Sequence, residues 1–267
     1  MLESVSMGGI RILTSPAIRE NHGIFIGFTS RDGGVSAGKF RSLNLSYKVG
    51  DESRNVARNR VLLGSSIGIP PDRWVAPRQI HGTHVKTVYD SDAGKGGVSE
   101  ESAVSLADGL ITSYKELALI VLVADCVPVL LFEHKCRVVA AVHAGWRGVL
   151  GGIAVSAVRK MRKYYGCGPS KISAILGPHI GPCCFEVGHD LAKRFEEEIG
   201  QSVVRQREDD GYFVNLGKAL SFQLEFEGLK PNHICFTGKC TCCEDDYFSY
   251  RRDGGTTGRQ CGIIFSF

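Results

Sequence analysis

The sequence predicts an α+β protein, folded as a layered α/β/β/α sandwich with mixed β-sheets. Three observations lead there. Strand-like segments outnumber helical ones and cluster together instead of alternating with helices. Two of them, Leu117–Ala124 and Val138–Val142, are apolar at every position, as strands covered on both faces are. With 267 residues and an ordinary hydrophobic content of 43%, the chain is long enough for one large core, so residues 1–267 are expected to form a single domain.

Along the chain, β-branched and aromatic runs bounded by turn residues mark strands at Ile24–Thr29, Trp74–Ile80, Val85–Tyr89, Leu117–Ala124, Val129–Phe132 and Val138–His143. The same pattern recurs at Ile172–Leu176, Tyr212–Asn215, His233–Thr237, Tyr247–Tyr250 and Gly262–Phe265. Helices are expected at Ser53–Ile67, stopped by Pro70-Pro71, at Val149–Tyr165, ended by Gly166, and at Asp190–Ile199, ended by Gly200. Leu216–Phe226 makes a fourth. The serine- and glycine-rich stretch Asp90–Ser105 reads as a surface loop.

The net charge of +4 comes without a basic run or a one-sided basic helix, which argues against nucleic-acid binding. No apolar run is long enough to span a bilayer, and Met1–Met7 does not read as a signal peptide. A cytoplasmic protein is expected, with its ten cysteines reduced, serving as core residues or ligands and not as a disulfide framework.

Three separated segments each place a metal-ligand side chain beside a glycine or proline: Gln79-Ile80-His81-Gly82, Ala124-Asp125-Cys126-Val127-Pro128 and Val142-His143-Ala144-Gly145-Trp146-Arg147-Gly148. Two imidazoles and one thiolate suit zinc, and three protein ligands leave a fourth position open, as catalytic sites do. Cys126 and His143 each follow an apolar strand, and the segment between them reads as strand, turn and return strand. A hairpin would bring its two far ends, and so these two residues, together. His81 ends a third strand and has no comparable argument. Taken singly, each residue is better read as core filling; as a set, the metal reading leads. Asp125 and Asp108 are candidate acceptors for the imidazoles.

Other constellations are weaker. His84 completes an H-x-x-H with His81 but lies in a strand-like run. Cys240-Thr241-Cys242-Cys243, with Cys183-Cys184 upstream, suggests a structural zinc site; adjacent cysteines and the lack of a second C-x-x-C favour small packing residues instead. The H-x-E and P-C-x-x-C signature of zinc nucleobase deaminases is missing. For an anionic substrate group the candidates are Arg147, beside the presumed metal, and Arg251-Arg252 at a glycine turn, because guanidinium donates in a bidentate fork. The Gly-rich turn Arg31-Asp32-Gly33-Gly34-Val35-Ser36 and the tip Ser42-Leu43-Asn44-Leu45 are weaker anion-cradle candidates, and Gly177–Pro182 reads as a rigid pocket wall.

The ordered motifs Gly33-Gly34-Val35-Ser36, Ser42-Leu43-Asn44-Leu45, Gln79-Ile80-His81-Gly82, Ala107-Asp108-Gly109, Ala124–Val129, His143–Gly148, Gly177–Gly188 and Ser249–Thr256 closely resemble the YfiH-type proteins. That family was first named multicopper polyphenol oxidoreductases, or laccase-domain proteins, and later purine nucleoside phosphorylases. The resemblance implies a mononuclear zinc site on His81, Cys126 and His143, with Cys126, His81, His143 and Arg147 in the catalytic centre. It implies phosphorolysis of adenosine, inosine, guanosine and methylthioadenosine, with adenosine deamination as a second activity. Arg31, Asn44, Arg251 and Arg252 are the expected contacts to substrate or phosphate. The expected partners are purine nucleosides and phosphate, with neither nucleic acid nor membrane, in a monomer or small homo-oligomer. Two alternatives stay open: copper-dependent phenol oxidation at the same ligands, and a non-enzymatic module braced by zinc with His84 or Cys183 as fourth ligand.

Overall fold

The computed structural model describes residues 2–207 and 211–267. In chain order its elements are β1 (Glu3–Met7), β2 (Ile10–Thr14), α1 (Pro16–His22), β3 (Ile24–Thr29), α2 (Ser53–Ile67), β4 (Trp74–Val75), β5 (Val85–Thr87), β6 (Gly109–Thr112), β7 (Ala118–Val123), β8 (Val127–Glu133) and β9 (Val138–Ala144). There follow α3 (Trp146–Leu150), α4 (Ile153–Tyr165), β10 (Ser173–Leu176), β11 (Glu186–Val187), α5 (His189–Glu198), β12 (Val204–Gln206), β13 (Tyr212–Val214), α6 (Leu216–Phe226), β14 (Ile234–Phe236) and β15 (Gln260–Ser266).

Two six-stranded mixed sheets stack face to face. The first has the order β1-β2-β3-β15-β7-β4 and the second β14-β10-β8-β9-β6-β5, with a small β11-β13-β12 sheet alongside. Period-two alternation makes the layers. Along β8 and β9, Val127, Val129, Leu131, Val138, Ala140, Val142 and Ala144 pack in the cluster that holds α4 and α6, whereas Leu130, Phe132, Val139 and Ala141 face the other sheet. Ile26, Phe28, Leu119, Val121 and Ile264 meet them there, and the far side of the first sheet packs Ile120, Ile263 and Phe265 against Leu63 and Ile67 of α2. The expected α/β/β/α layering is therefore present.

Local sequence explains where elements end. α4 buries Ile153, Ala154, Ala157, Val158 and Met161, one helical stripe, and stops at Gly166, whose φ of 68° is left-handed. The single helix expected over Val149–Tyr165 is in fact two, because Gly152 at φ 72° breaks α3 from α4.

Several strand expectations change. Trp74–Ile80 is extended into a sheet only at Trp74–Val75; beyond it the Gln79 amide, not a strand backbone, bonds Leu122. Tyr247–Tyr250 forms no strand. Tyr247 and Phe248 are buried as the apolar pattern requires, but the Gln260 side chain takes both backbone groups of Phe248, so no neighbouring strand is needed. β1, β2 and β6 carry no strong periodic signal and are supplied by sheet pairing, whereas the short α1 is set by its ends, with Ser15 capping its start and Gly23 at φ 62° closing it.

Leu130 lies fully buried between the two sheets and Val61 projects from α2 with 55% exposure. Leu130→Ala is expected to cost about 2–5 kcal/mol of stability and Val61→Ala under about 0.5 kcal/mol, read as shifts in a urea-denaturation midpoint.

Candidate metal centre

β8 and β9 pair as an antiparallel hairpin in which Val127 faces Ala144 and Pro128 faces His143. Cys126 stands one residue before β8, in the bend that follows β7, so the hairpin register brings it to His143. His143 itself is within β9 and not beyond its end, and its odd-numbered position in the alternation turns it with Val139 and Ala141 toward the sheet interface.

His81 arrives by another route. It sits in a bend at φ 57°, not at a strand end, and two side chains hold the bend in place. The Gln79 amide both donates to Leu122 O and accepts from Leu122 N, each at 2.8 Å, which ties the segment to β7 just before Cys126. The Asp108 carboxylate accepts from the backbone N–H groups of Ile80 (3.1 Å), His81 (2.9 Å) and Gly82 (2.8 Å). The same carboxylate is 2.9 Å from His143 Nδ1, and the Asp108 carbonyl takes the His143 backbone N–H at 2.7 Å. Asp108 therefore sets both histidines at once, and by occupying Nδ1 it leaves His143 Nε2 for a ligand role.

The result is a convergence. One nitrogen from each histidine and Cys126 Sγ all lie within 4.8 Å of one another. A methyl group added to Gly145 would sit 2.9 Å from His81 Nδ1 and 3.2 Å from Cys126 Sγ, so the missing side chain there keeps the centre open. The donor set of two imidazoles and one thiolate fits zinc with a further position available. Burial alone would push the Cys126 thiol up, but the adjacent His143 and His81 imidazoles pull it down to about 6. Burial likewise opposes a charge on His143, yet Cys126 and Asp108 raise it to about 9. Asp108 stays below the usual carboxylate range despite burial, through its bonds to His143 and to the Gly82 and Ile80 amides.

These three residues border a cavity of about 460 Å³. Arg147, Arg251 and Arg259 line it together with Trp146, Phe185, Tyr250 and Gln79. Arg147 is exposed and stacked on Trp146 at 4.2 Å. The Arg251 side chain reaches Cys184 O and Glu186 O, while its backbone N–H is held by Asp125 Oδ2 at 2.7 Å. Asp125 thus anchors the Arg251 turn and accepts from Thr241 Oγ1, and does not serve the imidazoles.

The remaining expected contacts do not line this cavity. Arg252 donates to the carbonyls of Thr241, Glu244 and Tyr247 and pairs with Asp253, which fixes its own loop. Arg31 donates to Arg41 O and lies over the Phe248 ring. Asn44 is fully buried and accepts from the Arg259 backbone N–H at 2.9 Å, so it positions a cavity arginine without reaching the cavity. The Gly33-Gly34 turn packs on its own chain, with Gly34 N–H donating to Ser42 Oγ. His84 is exposed and stands outside the His81 group. Arg259 and Gln79 line the cavity without having been candidates from the sequence: Gln79 sits inside the Gln79–Gly82 motif and Arg259 just past the Ser249–Thr256 motif, and nothing in their spacing shows which way they point.

The fold and this centre define a family. The chain belongs to the multi-copper polyphenol oxidoreductase laccase family, whose model matches residues 25–266. It is 37% identical over 246 residues, 91% of this chain and 90% of the other, to the purine nucleoside phosphorylase YlmD of Geobacillus stearothermophilus. It is 39% identical over 242 residues, covering 89% and 92%, to a purine nucleoside phosphorylase of Corynebacterium glutamicum. The crystal structure of the Geobacillus YlmD superposes with a TM-score of 0.91 at 35% identity over 97% of this chain and 96% of that one. The hypothetical protein YfiH of Bacillus licheniformis gives 0.92 at 29% identity over 98% and 97%. No helix among the described residues is long and apolar enough to cross a membrane.

Two outcomes test the centre. Asp108→Asn should weaken zinc binding about 10–100-fold, measured by chelator competition, because it releases His143 and the His81 bend together. Zinc affinity should also rise with pH between about 6 and about 9: below the lower value the Cys126 thiol is protonated, and up to the higher one metal must displace the His143 proton. A pH-independent affinity over that range would contradict this electrostatic arrangement.

Proposed function

We propose that the protein is a zinc-dependent purine nucleoside phosphorylase, cleaving adenosine, inosine, guanosine and methylthioadenosine with phosphate to the free base and the sugar 1-phosphate. The observation that carries this reading is the cavity itself, which sets a His/His/Cys donor group beside three arginines and three aromatic rings. The names of the relatives supply the substrate class.

The cavity of about 460 Å³ is of a size that takes a nucleoside. Trp146, Phe185 and Tyr250 offer faces on which a purine can stack. Arg147 and Arg251, with the half-buried Arg259, offer a charge-assisted fork for phosphate oxygens. In the reaction a phosphate oxygen bonds to the anomeric carbon as the bond to the purine nitrogen breaks. The electron pair leaves with the base, which gains a proton. Positive charge grows on the sugar, and the phosphate held by the arginines lies ready to meet it. Zinc at His81, Cys126 and His143 supplies a Lewis acid and a means of activating water, which also supports adenosine deamination as a side activity. Asp108 holds the His143 tautomer, Asp125 fixes the wall that carries Arg251, and Gln79 keeps His81 facing Cys126.

Copper-dependent phenol oxidation, the chemistry in the family's description, fits the residues less well. Among the described residues the His81 group is the one cluster of three metal-ligand side chains that contains a histidine, whereas a multicopper centre draws on several such groups.

Purified protein given inosine should release hypoxanthine and ribose 1-phosphate only when phosphate is present, and Cys126→Ala should reduce this to background. Full activity in Cys126→Ala, or phosphate-independent release, would sink the proposal. Arg147→Met should raise KM for phosphate about 10–100-fold, with a smaller change for inosine, as expected for one lost charge-assisted contact.

A further inference from the structure

A second group of metal-ligand side chains lies outside this centre. Cys183 and Cys184, on the turn between β10 and β11, meet Cys240 and Cys243, on the loop after β14. The four sulfur atoms all fall within 4.8 Å of one another. Cys183 Sγ is 3.5 Å from the sulfurs of both Cys240 and Cys243, and Cys184 Sγ is 3.3 Å from that of Cys243. A zinc ion bonded to four thiolates at about 2.3 Å spaces them about 3.8 Å apart, close to this arrangement. The sequence led us to expect small packing residues here. Cys242 fits that description, packing against the apolar cluster beneath α4; Cys184 touches the same cluster, but its sulfur also meets that of Cys243.

From this geometry we infer a second, structural zinc site, built by Cys183, Cys184, Cys240 and Cys243, that clamps together the two loops forming one wall of the active cavity.

The surrounding backbone is arranged for thiolates. Gly181 N–H donates to Cys240 Sγ at 3.1 Å, and the amides of Cys243 and Cys242 are directed at the same sulfur. Such N–H donors favour a thiolate over a thiol. Thiols packed this closely resist losing their protons together unless a cation sits among them, and binding zinc would release those protons. Four thiolates around one divalent ion leave excess negative charge, and the Arg207 and Arg251 guanidiniums lie against the carbonyls of Cys183 and Cys184.

The location links the clamp to the cavity wall. Phe185 follows Cys184 directly and lines the cavity, and Arg251 rests on Cys184 O. Thr241, between the clamp cysteines, donates to Asp125, the neighbour of Cys126. Losing the clamp would therefore loosen Phe185 and Arg251 while leaving the His81 group intact.

The full-length wild type should hold about two zinc ions per chain, one for each site. Cys243→Ser should remove about one, and His81→Ala should remove the other. Cobalt loaded into His81→Ala should show strong thiolate-to-metal charge transfer. If Cys243→Ser and Cys183→Ser keep the wild-type metal content, or if that cobalt band is missing, the clamp does not exist. A single-zinc wild type that loses its metal in Cys243→Ser but not in His81→Ala would support the clamp and overturn the catalytic centre instead.

Should the variants fail to fold, the wild type decides the matter. In zinc-replete protein the four clamp thiols should resist alkylation while the exposed Cys235 reacts, and zinc should be released as a mercurial titrates them. Clamp cysteines that alkylate as fast as Cys235, or a mass spectrum showing two hydrogens lost to a disulfide among them, would overturn the proposal.

Discussion

The centre depends on one buried carboxylate. Asp108 is fully enclosed and accepts from three consecutive backbone amides and one imidazole, so its charge has a partner on every side. An ionised carboxylate in such a place is costly unless it is so satisfied. Here the satisfaction also positions the donors: the groups that stabilise the charge are the His81 bend and the His143 ring. The position of Asp108 just before β6, the neighbour of β9, delivers the carboxylate to both.

The stacked sheets supply the rest of the frame. β8 and β9 are buried along their whole length, so their register is set by packing on both faces, and a slip by one residue would turn His143 toward the helices. Cys126 is held only one residue away from that register. The arginine-bearing wall is of a different character. Where it carries Arg251 it is made of loops joined by hydrogen bonds through Asp125, Thr241 and Cys184 O, and it rests on the core through Cys184, Phe185 and Cys242.

How much of this was legible in the sequence follows from those differences. Continuous apolar runs announced the central strands, and the meeting of Cys126 with His143 follows from hairpin geometry alone. His81 could not be placed in the same way, because its bend is held by the Gln79 side chain on Leu122, 43 residues along from Gln79, and by its own N–H on the Asp108 carboxylate, 27 residues away. Periodicity carries no trace of such bonds. Arg252 misled for a related reason: paired with Arg251 at a glycine turn it suggested an anion site, yet adjacent residues point apart, and its donors close its own loop. The four-cysteine group was discounted because adjacent cysteines seldom share a ligand, a rule that the turn at Gly181 sets aside by bringing both sulfurs to Cys243.

The three donors also differ in how they meet the solvent. His143 is 2% exposed and belongs to the core hairpin, whereas His81 is exposed on a bend held mainly by hydrogen bonds. A metal bound there would have a lopsided shell, with His143 as rigid as the sheet, Cys126 one residue outside it and His81 only as steady as its loop. Exchange of the ion with competing chelators would then proceed through the His81 side, at a rate set by local opening of that loop and not by global unfolding.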